Sequence, residues 1–325
     1  MIMEKYGLMD MRDLLVINRK AVSLCNRLHL HLFAKFIAFP RFVYCLKFLQ
    51  KRIPETLAKD FNSHLQKVEE RKKVFVMWLQ GYEQMPLPVK KCWESIQRHA
   101  CAVGEPVLIT QKNIKQYLDL PDYILKKVKE GIITRTQFSD IVRSGLLARW
   151  GGIWIDSTVF LSSDIPSAYV ERDFFCPSGI GDAVCTEWSL LYGKSNGWCS
   201  WFMGSMYKHL PVFEFVHNAF LEYYRNETAS IDYFMLDFFI TLFFRKNAAF
   251  RESIRTLPAN NCRAYELMHL LKKEVSEKNI SIWNDIKNSG FINKITYKKN
   301  YQRQLKNGKS TMFDYIMCTS RGQND

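Results

Sequence analysis

Apolar positions between residues 74 and 160 fall into short bounded runs separated by helical stretches. The run VFVMWL (74–79) is rich in β-formers and lies between charged residues and a glycine, which predicts a buried strand. PLPVKKCWESIQRHA (86–100) follows as a helix with proline near its start, EPVLIT (105–110) as a second strand, and NIKQYLDL (113–120) opens another helix. TRTQFSDIVRSGLLARW (134–150) reads as a helix whose apolar stripe is Ile141, Leu146, Leu147 and Trp150, and GIWID (152–156) reads as the next strand. This alternation predicts an open α/β sheet with helices on its faces.

The flanks differ in texture. Residues 1–70 read as helices with basic faces, interrupted near Pro40 and Pro54. Beyond Pro166, DFFCPSG, EWSLLYG and CSWFMGSM predict short strands, and PVFEFVHNAFLEYYRN and DYFMLDFFITLFFRK predict two helices. From Lys272 the chain reads as helical and then basic. The expected division is a basic helical segment over 1–70, an α/β domain over 71–270 and a helical and basic tail over 271–325.

Composition sharpens this picture. In 325 residues, 47% hydrophobic and 24% charged, there is enough apolar surface for a sizeable core. The nine cysteines form no CxxC pair, so reduced thiols and a cytosolic setting are expected. The start, MIMEKYGLMDMRDLL, lacks a signal-peptide pattern, and Lys35, Pro40 and Arg41 interrupt the best apolar run near it, so that run does not span a bilayer.

The formal net charge is +14, and its placement is uneven. Residues 1–73 carry +8 and residues 287–309 carry +7, which leaves the rest at −1. A basic, aromatic-rich N-terminal segment fits an anionic membrane surface or a solubilising spread of charge. No RNA- or DNA-binding motif accompanies the charge, so nucleic acid is not an expected partner. The stretch KKNYQRQLKNGKS (298–310) reads as a solvated tail or as a contact for anionic lipid or a lipid diphosphate.

The candidate chemistry centres on residues 139–166. Asp140 and Arg143, three apart, share a helix face, either as a surface ion pair or as a functional pair; Asp140 alone also suits an N-cap. Gly151 and Gly152 suit a helix C-cap and also a close approach of backbone or ligand. Asp156 ends a strand, where open α/β sheets bind ligands, although a strand-end Asp is also an ordinary turn residue. Asp237, inside an apolar run, needs a partner: an Arg, a donor hydroxyl or a metal. Trp198 and Trp201 suit core packing and equally stacking on sugar rings. The seven histidines show no metal-ligand spacing.

Taken together, Asp140-x-x-Arg143, Gly151-Gly152, an aromatic-containing strand and Asp156-x-Thr158 resemble the capsular polysaccharide synthesis protein family, which is related to glycosyltransferases with the DxD sugar-binding motif. FVMWLQG, Pro86, Pro88 and Cys92-Trp93 resemble the same family's opening. The resemblance implies a Rossmann-like GT-A fold and transfer of a sugar, mostly with retention, from a nucleoside diphosphate to a hydroxyl of a lipid-linked surface glycan. The setting it implies is the inner face of a bacterial membrane. Asp140 and Arg143 would hold donor-sugar hydroxyls, Trp78 and Gln80 would lie by base and ribose, and Gly151 and Gly152 would admit the donor. Asp156 would contact the ribose and a divalent cation, Mn²⁺ or Mg²⁺. Thr158 departs from the family pattern, since a carboxylate there normally ligates the metal. Either Asp156, the diphosphate and a later residue, Asp232 or Asp237, hold the cation, or metal dependence is weak and basic residues neutralise the leaving group. The alternative from another class is a catalytically silent relative that binds membrane or partner proteins. An enzyme of different chemistry on a similar sheet, such as a sugar-phosphate transferase, is a third reading.

Overall fold

Alternating side chains of the central strands bury on opposite faces, which requires cover on both sides of the sheet. In Lys73–Met77, Phe75 enters one apolar cluster while Val74 and Val76 enter another; in Gly152–Ile155, Trp154 faces Phe75's side and Ile153 and Ile155 the other. The computed structural model describes residues 2–58, 65–179, 189–192, 197–258 and 263–319. Its main sheet has four strands, in spatial order Glu105–Ile109, Lys73–Met77, Gly152–Ile155 and Phe202–Ser205. The first three are parallel and the last is antiparallel. The architecture is therefore mixed α/β.

The Leu87–His99 helix covers one face through Val89, Trp93 and Ile96. The helices Arg135–Trp150, Pro211–Asn226 and Met235–Lys246 cover the other, joined by aromatic contacts such as Phe220 with Phe239 at 4.8 Å between ring centres.

The N-terminal helices Ile2–Arg27 and His31–Gln50 form a hairpin on this second face, where Phe42 meets Phe238 edge-on at 5.5 Å. The expected interruption near Pro40 does not occur. The chain turns at residues 28–30, with His29 at φ 58°, and Pro40 lies inside the continuous second helix. A proline inside a helix costs about 3 kcal/mol, and burial of Ala34, Ala38, Phe42, Cys45, Leu46 and Leu49 on the packed face offsets it. Among the described residues no helix is long and apolar enough to cross a membrane.

Of the strands expected beyond Pro166, only Phe202–Ser205 joins the main sheet; Phe175 makes an isolated bridge to Gly204, and Ser189–Tyr192 forms a helical turn, the rest of EWSLLYG lying outside the described residues. The segment read as a tail folds back on the body. The helix Glu277–Ser289 packs into a third cluster around Trp283, Ile286, Ile295 and Phe313, and the strand Ile292–Lys294 pairs antiparallel with Val159–Leu161. That pairing sets Lys294 opposite Val159, beside the end of the central strand.

Candidate active site

The parallel strands Lys73–Met77 and Gly152–Ile155 end side by side, and a cavity of about 480 Å³ opens at their carboxyl edge. Trp78 and Gln80 line it from the first strand's exit, and Asp156, Ser157 and Thr158 from the second's. Arg135, Ser139 and Arg143 enter from the preceding helix, and Tyr233, Tyr265, Lys294, Tyr297 and Lys298 close the remaining wall.

The Arg135–Trp150 helix is held at both ends. Its N-cap is Thr134, not Asp140: the Thr134 hydroxyl accepts from Gln137 N at 3.3 Å and Gln137 reaches back to Thr134 N, a capping box. Gly151, at φ 61°, ends it. Asp140 and Arg143 lie on the buried side, only 6% and 5% exposed, which removes the reading of a solvated ion pair. Arg143 donates to Asp156 Oδ1 at 3.0 Å and to the Ser200 carbonyl at 2.7 Å, and its guanidinium lies 5.1 Å from the Trp154 ring centre. Asp140 sits behind it, 3.4 Å from the guanidinium, and takes no part in the cavity wall. Arg143 is thus clamped between two carboxylates, Asp156 facing the cavity and Asp140 the core.

Both oxygens of Asp156 accept hydrogen bonds, from three donors in all. Its Oδ1 also accepts from Trp154 Nε1 at 2.9 Å, and its Oδ2 accepts from Lys294 Nζ at 2.7 Å. Lys294 Nζ donates to Thr158 Oγ1 as well, at 2.9 Å. The ammonium therefore bridges the first and third positions of the Asp-x-Thr motif. Burial works to raise the Asp156 pKa, but Lys294 and Arg143 beside it, with the Lys294 and Trp154 hydrogen bonds, outweigh burial and hold the carboxyl below the usual range. Asp140 goes the other way: burial pushes it up to about 7, against the pull of Arg143 and with repulsion from Asp237 and Asp156 added.

A divalent cation does not fit this donor set. It needs several oxygens, preferably anionic. Both Asp156 oxygens are engaged by cationic or N–H donors, and the Thr158 oxygen is occupied by the same ammonium. Among the described residues no group of three or more His, Cys, Asp or Glu is placed to hold a metal. The two later candidates point elsewhere. Asp232 Oδ1 accepts from Phe234 N at 2.9 Å in a local turn. Asp237 accepts from Trp198 Nε1 at 3.1 Å, and burial pushes its pKa up to about 6. Neither lines the cavity.

The glycine pair admits protein backbone rather than a ligand. A Cβ on Gly152 would stand 2.3 Å from the Lys73 carbonyl oxygen, and one on Gly151 would stand 2.7 Å from the Tyr207 carbonyl oxygen. Their role is close strand packing and helix termination. Trp198 and Trp201 are buried, with Trp201 donating to the Tyr265 hydroxyl at 3.1 Å, and neither lines the cavity.

Sequence reasoning missed Lys294, Arg135 and the tyrosines, and marked Lys298 only as the first residue of a basic stretch. Lys294 lies 136 residues from Thr158, and no local spacing marks it. The one available signal was the acid-free basic character of residues 287–309, a property of the whole segment.

No curated protein sequence matches this chain. The model of one family does, described as capsular polysaccharide synthesis protein, over residues 29–316, a span that takes in the helical hairpin's second helix, the sheet, the cavity and the strand that carries Lys294. That match ties the chain to glycan biosynthesis and extends over most of its length. The chain belongs to the capsular polysaccharide synthesis protein family.

Proposed function

We propose that the chain is a glycosyltransferase that moves a sugar from a nucleoside-diphosphate donor to a hydroxyl of a cell-surface glycan. The observation that carries this reading is the lining of the cavity: among the described residues, four cations, Arg135, Arg143, Lys294 and Lys298, stand against the single carboxylate of Asp156, beneath an aromatic wall that includes Trp78 and Tyr297. Such a lining suits a diphosphate flanked by a flat base and a sugar. Trp78 meets Tyr297 edge-on at 5.6 Å, and its buried Nε1 has no hydrogen-bond partner among the described residues. In this reading the base and ribose lie at Trp78 and Gln80. Arg143, whose Nε also lacks a partner among the described residues, faces the sugar, and Lys294 and Lys298 face the phosphates.

The C1–O bond to the donor's β-phosphate breaks with its electron pair going to the diphosphate oxygen, and the acceptor oxygen forms the new bond to C1. Charge that grows on the departing diphosphate is the main obstacle, and fixed cations stabilise it without reorganising at the moment of reaction. Lys294, held by Asp156 and Thr158, supplies the charge that a divalent cation supplies on a full DxD motif. With the acceptor attacking from the leaving-group face, its hydroxyl proton passes to the departing diphosphate oxygen, and the configuration at C1 is retained.

The test is a panel of nucleotide sugars assayed by thermal shift and by nucleoside-diphosphate release, with and without Mn²⁺. A donor at a hundred times its dissociation constant stabilises by about 2.7 kcal/mol, which raises Tm by roughly 4 °C. Asp156→Asn is expected to abolish release while leaving the circular-dichroism spectrum unchanged. A panel with neither shift nor release would sink the reading and leave a non-catalytic member of the family.

A further inference from the structure

A second cavity, of about 700 Å³, adjoins the first; Tyr233 and Lys298 line both. Its other walls come mainly from the N-terminal hairpin, and among the described residues its charged groups are Arg19, Lys20, Arg27, Arg41 and Lys298, with no carboxylate. Arg41 is 2% exposed, and Arg19 stacks over the Tyr233 ring at 5.5 Å. Residues 14–54 as a whole hold eight Lys and Arg and no Asp or Glu. The hairpin turn follows directly on Arg27, and the face beyond it is apolar and open. Leu32, Phe36 and Phe39, at helical spacing, are 84%, 77% and 55% exposed, with Leu28 and Phe33 exposed beside them. Exposed phenylalanines at this density are uncommon on a chain that meets only water.

We infer that the hairpin and the basic cavity at its base form one site for a membrane-embedded lipid, held by its phosphate headgroup, and that this lipid is the acceptor of the proposed transfer. The inference rests on the transferase reading for the word acceptor alone. An apolar stripe flanked by cations and free of acids matches an anionic bilayer in both chemistry and sign. The cavity provides what a flat membrane contact does not need: a concave pocket, free of acids among the described residues, that suits phosphate oxygens and adjoins, across Tyr233 and Lys298, the cavity assigned to the donor. A headgroup seated there leaves the sugar beyond it directed towards Lys294 and Arg143.

The experiment is flotation of the full chain with three vesicles: phosphatidylcholine, phosphatidylcholine with phosphatidylglycerol, and phosphatidylcholine with a polyprenyl diphosphate at matched charge. The expected order is negligible binding to the first, salt-sensitive binding to the second and the tightest binding to the third. Phe33→Glu with Phe36→Glu, both at exposed positions, is expected to abolish binding to all vesicles. Lys20→Ala with Arg27→Ala is expected to weaken binding by about fivefold per cation removed and to erase the preference for the diphosphate lipid. Inorganic diphosphate in excess is expected to erase the same preference while leaving attachment to phosphatidylglycerol. Equal binding to all three vesicles would overturn the inference, and so would a dimer in solution that the two glutamates dissociate, since the apolar face would then be a contact between copies. Donor binding by the unaltered chain is measured without vesicles. A chain that binds nucleotide sugar but no vesicle refutes the lipid site alone; one that binds vesicles but no nucleotide sugar refutes the transferase reading alone.

Discussion

Replacing Lys294 by methionine keeps the unbranched stem of the side chain and removes the ammonium that joins Asp156 to Thr158. Two effects follow, and the structure sets the size of each. For stability, removing one partner of a fully buried pair costs about 3–5 kcal/mol. Lys294 and Asp156 are 17% and 25% exposed at their side chains, and Asp156 keeps Arg143 at 3.0 Å, so the cost falls to about 1–2 kcal/mol. For catalysis, a unit charge about 4 Å from a diphosphate oxygen is worth roughly 4 kcal/mol at an effective dielectric constant of 20. At about 1.4 kcal/mol per decade, that is a loss of roughly a thousandfold in kcat/KM. The donor is anionic before the bond breaks, so the loss divides between KM and kcat rather than falling on kcat alone. Lys294→Arg keeps the charge and is expected to recover part of the activity. The assay is nucleoside-diphosphate release, run with a chelator in excess and again with Mn²⁺, beside a denaturant melt that separates stability from turnover. Release by the unaltered chain is expected to survive the chelator. Lys294→Met acting within about threefold of the parent, or strict dependence of the parent on Mn²⁺, would refute the assignment of this ammonium to the cation's place.

Three further outcomes follow from the same geometry. Gly152→Ala forces a Cβ to 2.3 Å from a backbone oxygen at φ 77°, where no side chain is available to yield, and it is expected to lose about 3 kcal/mol or more by urea midpoint; a loss under about 1 kcal/mol would contradict the packing role. Asp140 and Asp237 carry pKa values raised to about 7 and about 6, so the folded state binds more protons than the unfolded one between the ordinary carboxylate range and these values. Stability linked to them is full in acid and is lost as pH rises from the ordinary carboxylate range through 6 to 7, whereas stability linked to the lowered Asp156 pKa is lost as pH falls through and below that range. Asp140→Asn is therefore expected to flatten the fall in Tm between pH 5 and 8 by linkage, and an unchanged slope would count against a buried acid behind Arg143. Asp156→Asn leaves Arg143 and Lys294 facing each other without their shared carboxylate, and a variant that still released nucleoside diphosphate at the parental rate would remove Asp156 from the centre of the site.

What the chain announces on its own is whatever local chemistry repeats at short range. VFVMWL, EPVLIT and GIWID are legible as strands because β-formers gather in short bounded apolar runs, and the helix that ends at Gly151 is legible from its apolar stripe and its glycine C-cap. Asp156 at a strand's carboxyl end and Asp140 three residues before Arg143 belong to this class, and so does membership of the family. Contacts between distant residues decided the rest. Pro40 does not break its helix because tertiary burial of the packed face outweighs a local penalty. Gly151 and Gly152 are equally compatible with a ligand and with a neighbouring strand until Lys73 and Tyr207 are seen against them. Asp140 reads as an equal partner of Arg143 until burial places it behind the guanidinium. Above all, the charge at the Asp-x-Thr motif comes from Lys294, brought there by the antiparallel register of two short strands more than a hundred residues apart. Side-chain period is a property of neighbours along the chain, whereas the sign of a site's field depends on which charges the fold brings together.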